Sequence, residues 1–148
     1  MPPARNTLEI PVLPATLHTA LHIGASSVSM MVAERYEDGT LNAVDFLEQP
    51  APLASDIFRS GVVSQTTTER IVSIIKGYQE SLSELGYDPH NLTRAVATNI
   101  LSEATNHETV MNRIRIACGL KVSTIDDGEM TRLIYLKTRR RLLNLPSM

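Results

Sequence analysis

Between Leu17 and Glu34 apolar and small side chains alternate up to Ile23, pause at Gly24-Ala25-Ser26-Ser27, and alternate again as Val28, Met30 and Val32 against Ser29, Met31 and Ala33. A period of two marks half-buried strands, so this stretch predicts two strands joined by a small, hydroxyl-rich corner. Glu37-Asp38-Gly39 is a tight-turn signal, and Thr40 to Leu47 follows as a third strand, completing an antiparallel meander. From Glu48 to Val63 the alternation fails. Pro50 and Pro52 argue against ladder pairing, so a long surface excursion is expected there, with Leu53, Ile57 and Phe58 tucked back on the core.

The period then changes. Thr66 followed by Glu69 is a capping-box signal, and Ile71, Ile74, Ile75, Tyr78, Leu82 and Leu85 recur at spacings of three and four before Gly86, which predicts a helix with one buried face. Thr93 to Thr98 carries a short strand, Arg94-Ala95-Val96-Ala97. Asn106 is a suitable cap for a second helix that buries Val110, Met111, Ile114 and Cys118 and stops at Gly119. Lys121 to Ile125 predicts a fifth strand, and Asp126 with Glu129 opens a third helix through Met130, Leu133, Ile134 and Leu142. The order βββαβαβα requires parallel crossovers after the meander. The expected class is therefore α/β, with a mixed five-stranded sheet and helices packed against it. Residues 1–14, broken by prolines, read as an arm, and 15–148 as a single lobe.

Composition narrows the function classes. The chain has 148 residues, 43% apolar and 20% charged, as an ordinary globular domain does. A net charge of -2 and an aromatic share of 4% give no footprint for nucleic acid. No apolar run approaches the ~20 residues of a membrane span. Cys118, the single cysteine, points to a reducing, cytoplasmic setting. His18 and His22 would be ~13 Å apart on a strand and so do not pair on one metal. Arg139 to Arg141 read as a solvated helix end.

The chemistry that remains lies in the corner. Gly24 lets a ligand approach the main chain, and Ser26 and Ser27 add hydroxyls beside the backbone N–H groups, the composition of a small anion cradle or of a plain turn. Two further blocks belong with it: AVATNILSEATN at 95–106 and TIDDGEMTRLIYL at 124–136. With LHIGASS at 21–27 they resemble, in order and spacing, the N-terminal half of the exopolyphosphatase and guanosine pentaphosphate phosphatase family, Ppx/GppA. Ala97, Thr98, Leu101, Glu103, Ala104 and Asn106 fit the family pattern Ala-Thr-x-x-Leu-Arg-Glu-Ala-x-Asn. The resemblance spans roughly residues 17–137. It implies a ribonuclease H-like lobe of the actin-like ATPase superfold, magnesium as the family cofactor, and hydrolysis of a terminal phosphate from polyphosphate or guanosine pentaphosphate (pppGpp), a hydrolase reaction on acid anhydrides.

By the same resemblance, Gly24, Ala25, Ser26, Ser27, Thr98, Asn99 and Ser102 occupy phosphate-binding positions, with Glu103, Asn106 and Arg132 as supporting residues. Three positions depart from the pattern. The family aspartate that helps hold magnesium is His22, a poor ligand for a hard ion that prefers oxygen. The phosphate-gripping arginine is Ser102, which removes a bidentate cationic fork. The base that activates water is Met130, and Glu129 beside it is turned by about 100° on a helix. No catalytic residue is intact. A second glycine-rich phosphate loop, expected soon after the third helix, does not occur before Met148.

Loss of one oriented base costs ~100-fold to 10,000-fold. The expectation is accordingly a degenerate or incomplete relative, inactive as this chain, that at most binds a phosphate-rich small molecule or polyphosphate and needs no cofactor. Alternatives are an interaction module, or one lobe of a longer active hydrolase. A second lobe or self-association is the expected partnership, with no nucleic acid and no membrane.

Overall fold

The computed structural model describes residues 16–88 and 92–125. β1 (Thr16–Ile23), β2 (Ser27–Arg35) and β3 (Leu41–Pro50) form the meander. Two helices follow, α1 (Leu53–Ser60) and α2 (Gln65–Glu84), then β4 (Leu92–Thr98), a 3-10 turn (Asn99–Glu103), α3 (His107–Cys118) and β5 (Val122–Ile125). The five strands make one sheet in the order β3-β2-β1-β4-β5. β1 and β3 run antiparallel to β2, whereas β4 is parallel to β1 and β5 to β4. The mixed five-stranded α/β sheet is thus as the sequence implies.

One sheet face carries the core. Leu21, Ile23, Val28, Met30, Val32, Ala95 and Ala97 are buried there with Ile71, Ile75, Tyr78 and Leu82 of α2 and Val110, Ile114 and Cys118 of α3. Each large side chain contributes about 1.5–3 kcal/mol by leaving water. The Tyr78 hydroxyl donates to Val28 O at 2.7 Å and so fixes α2 against the meander. Met111 is partly buried at the edge of the cluster. Among the described residues no helix is long and apolar enough to cross a membrane.

Several expectations are corrected. The excursion predicted from Glu48 to Val63 instead continues β3 as far as Pro50, opposite Ser27, and then forms α1. Pro50 is tolerated because β3 is the sheet edge, and Pro52 because the position before a helix needs no N–H partner. Leu53 and Ile57 are buried as expected, but Phe58 is 72% exposed, since α1 buries a narrow stripe. The α2 cap is Ser64, two residues before Thr66, and its Oγ accepts from Thr67 N at 3.1 Å. Glu69 instead pairs with Arg113 of α3 at 2.8 Å. Leu85 is 61% exposed because the helix has ended, with Gly86 beyond it at φ +89°. Asn106 begins α3 without a side-chain capping bond. Its amide spans the chain to Val63, accepting from Val63 N at 3.0 Å and donating to Val63 O at 2.9 Å.

The edge is blunted. The register of β3 slips between Val32 and Ala33, leaving Val44 as an extra residue, and Phe46 N donates to the Asp45 carboxylate at 2.8 Å. A bulge and a self-satisfied donor both disfavour pairing with another strand. The arm at 1–14 and the third helix, with Glu129, Met130, Arg132, Leu142 and Arg139 to Arg141, lie outside the described residues.

Candidate functional site

Because β1, β4 and β5 are parallel, the connections that leave them emerge at one rim of the sheet. Ile23 pairs with Ala97 and Thr98 with Ile125, so the Gly24 turn, Thr98–Asn99 and the end of β5 are neighbours. β1 is also where the strand order reverses direction along the sheet, the position at which open α/β sheets hold ligands.

The turn is tied down through its oxygens. Gly24 N donates to Ser27 O at 2.7 Å, Ala54 N to Ala25 O at 2.8 Å, and Ala51 N to Ser26 O at 3.0 Å. The start of α1, which the sequence reading missed, therefore holds the turn from behind. With the carbonyls taken, the N–H groups of Ala25 and Ser26 have no partner among the described residues. Successive free N–H groups make a concavity that favours anions.

The hydroxyls are less available than the sequence implies. Ser27 Oγ donates to Glu48 Oε2 at 2.9 Å, which commits it and places a carboxylate beside the turn. Ser102 Oγ lies 2.6 Å from Asn99 O and 3.1 Å from Asn99 Oδ1, so it closes the 3-10 turn. Thr98 is buried, and its Oγ1 accepts from Ile100 N at 3.4 Å as the cap of that turn, leaving its own proton to give. Ser26 and Asn99 are exposed at the rim, as is Glu103 at the far end of the 3-10 turn. Asn106 braces the loop between α1 and α2 and stands back from the rim. Thr105 N donates to Gly61 O at 3.0 Å in the same brace.

His22 is the penultimate residue of β1, beside the turn. A Cβ on Gly24 would lie 3.1 Å from His22 Cε1 and 3.2 Å from Ser27 O, so a larger residue there would press on the ring and on the turn. His22 Nε2 is shielded from solvent and has no hydrogen-bond partner among the described residues. Burial lowers the imidazole pKa from its ordinary 6.5 and favours the neutral ring. Magnesium wants several oxygen donors, and the strand-end donor here is an unoriented nitrogen. Among the described residues no three of His, Cys, Asp and Glu gather. These residues do not fit magnesium.

The fold is found in known proteins. The chain matches the Ppx/GppA phosphatase family over residues 32–145. It belongs to that family. Exopolyphosphatase 1 of Mycobacterium tuberculosis is 24% identical over 132 residues, covering 84% of this chain and 38% of that protein. The Mycobacterium leprae protein of the same name is 23% identical over the same length. Among solved structures, the Ppx/GppA family member of Aquifex aeolicus superposes with a TM-score of 0.67 at 23% identity, over 76% of this chain and 35% of that one. An exopolyphosphatase from Cytophaga hutchinsonii gives 0.66 at 14% identity, with the same coverage. The lobe therefore has the actin-like ATPase fold of the Ppx/GppA proteins and corresponds to their N-terminal part. It spans about 38% of the length of the exopolyphosphatases it matches.

Proposed function

We propose that this Ppx/GppA lobe binds a terminal phosphate of a polyanion, inorganic polyphosphate or guanosine pentaphosphate, at the Gly24 rim, and does not hydrolyse it as this chain. One observation supports this reading above the others: the turn's carbonyls accept from Gly24 N, Ala51 N and Ala54 N, and among the described residues the N–H groups of Ala25 and Ser26 have no partner. Thr98 and Asn99 add donors from the neighbouring strand end. Against turnover stand three substitutions in the machinery that positions water, metal and phosphate: Met130, His22 and Ser102.

Two measurements test it. Tripolyphosphate is expected to shift the amide signals of Ala25 and Ser26. Phosphate release from polyphosphate with magnesium is expected at least ~100-fold below that of an intact relative, the scale of one lost general base. Release at a relative's rate refutes the inactive reading, and unmoved amides refute the binding reading.

A second reading, that the lobe is one half of a longer hydrolase, is favoured by its covering 38% of its relatives. Supplying a second lobe together with His22→Asp, Ser102→Arg and Met130→Glu is expected to restore release. No gain from that combination would reject the positional correspondence.

A further inference from the structure

We infer that the Gly24 turn takes its phosphate group directly, with no divalent cation between them, and that His22 is the residue that frees the site from the metal. The inference rests on the phosphate reading above and goes beyond it. A carboxylate at the end of β1 would place a negative charge against an incoming phosphate, and a cation would be needed to join the two. An imidazole at the same point adds no negative charge, so the N–H groups of the turn meet the ligand with no like charge contributed by this position.

The ring is not set up as a metal ligand in the carboxylate's stead. A ligating histidine normally has its other nitrogen held by a carboxylate, carbonyl or water, which orients the ring. Among the described residues His22 has no such partner on Nε2, and its Cε1 edge is packed against Gly24. The carboxylate beside the turn, Glu48, already accepts from Ser27 Oγ. The hydrogens of Ala25 N and Ser26 N repel a cation and attract an anion. Donor chemistry and charge thus agree that a phosphate is welcome at this turn and a magnesium ion is not.

The test uses the whole chain, labelled for amide NMR, with two probes: Mn2+ alone as a paramagnetic stand-in for magnesium, and tripolyphosphate. For the unaltered protein Mn2+ is expected to leave the signals of residues 24–27 no broader than those of other exposed amides. Tripolyphosphate is expected to shift Ala25 and Ser26 in EDTA, with affinity changing less than about threefold when magnesium replaces EDTA, since no bridging charge is involved. His22→Asp is expected to bring selective Mn2+ broadening to the turn and to weaken tripolyphosphate in EDTA by about tenfold or more, because one half-buried like charge then opposes the ligand. Selective broadening in the unaltered protein, or shifts that require magnesium, would overturn metal independence and leave the phosphate reading standing. No shift under either condition would overturn the phosphate reading itself. The measurements on the unaltered chain decide the matter even if His22→Asp does not fold.

Discussion

The α1–α2 junction and the Gly24 turn lie at opposite ends of α1 and treat polar groups in opposite ways. At the junction Asp56 is buried and both its oxygens are used: Oδ2 accepts from Ser64 N at 2.9 Å and Ser64 Oγ at 2.7 Å, and Oδ1 from Arg59 Nη2 at 3.0 Å. Burial pushes the Asp56 carboxyl up, but hydrogen bonds from Thr67 and Ser64, with Arg59 nearby, outweigh it and hold the pKa below 3.8. At the turn His22 has a shielded nitrogen without a partner, and two N–H groups bond nothing among the described residues. Among the described residues, spare hydrogen-bonding capacity therefore stands at the rim, while Asp56 in the brace behind it has both oxygens in use. A fold that completes its structural polar groups and leaves a cluster open has concentrated its capacity for ligands in one place.

The sharpest way to break the contrast is Asp56→Ala. It strands the Ser64 N–H and hydroxyl and undoes the α2 cap, with an expected loss of about 3 kcal/mol in urea unfolding. A loss under about 1 kcal/mol would mean the junction is not the anchor. Acid should separate the two regions as well. Asp56 has a depressed folded pKa, so its stabilisation is present above about 3.8 and disappears as pH falls through the folded value. His22 also has a depressed pKa, but as a base: its unfolded form gains a proton first, so stability declines as pH falls below 6.5 and levels off beneath the folded value. Two separate acid windows are expected in a stability profile.

What could be read beforehand follows the same division. Alternation at Val28, Met30 and Val32, and spacing of three and four at Ile71, Ile75, Tyr78 and Leu82, reported burial directly, because periodic burial is what those elements are made of. α1 was missed because two prolines were weighed as ladder breakers. Pro52 before Leu53, the Leu53–Ile57 spacing and Gly61 at φ +77° together spell a short helix. Glu69 was assigned to a cap because its partner, Arg113, is 44 residues away and pairing at that distance leaves no local trace. That Gly24 and Thr98 stand side by side was legible, since they mark the ends of adjacent parallel strands. Their hydrogen-bond commitments were not: nothing in Gly-Ala-Ser-Ser announces that Ser27 would be bound by Glu48.

His22→Phe sharpens the contrast from the other side. Removing an unpaired nitrogen while keeping a planar ring against Gly24 should change stability by no more than about 1 kcal/mol, with a gain as readily as a loss. The decline below pH 6.5 should vanish and the Asp56 window should remain. A loss above about 2 kcal/mol would reveal a partner for His22, and the claimed asymmetry would fail.

The smallest effect isolates the charge beside the turn. Glu48→Gln keeps an acceptor for the Ser27 hydroxyl and deletes one negative charge from an exposed position, so stability should move by less than about 0.5 kcal/mol. Tripolyphosphate should bind the variant about twofold to fivefold more tightly at low salt, and the gain should shrink as ionic strength rises, because the charge is solvated and screened within a Debye length. The result bears on why the rim is open at all. If deleting Glu48's charge tightens binding, Ser27 serves to hold a modest repulsion in place, and the turn's affinity is set by the balance of two N–H donors against one carboxylate. If affinity does not move, Glu48 is a strand-pairing residue and the N–H groups act alone.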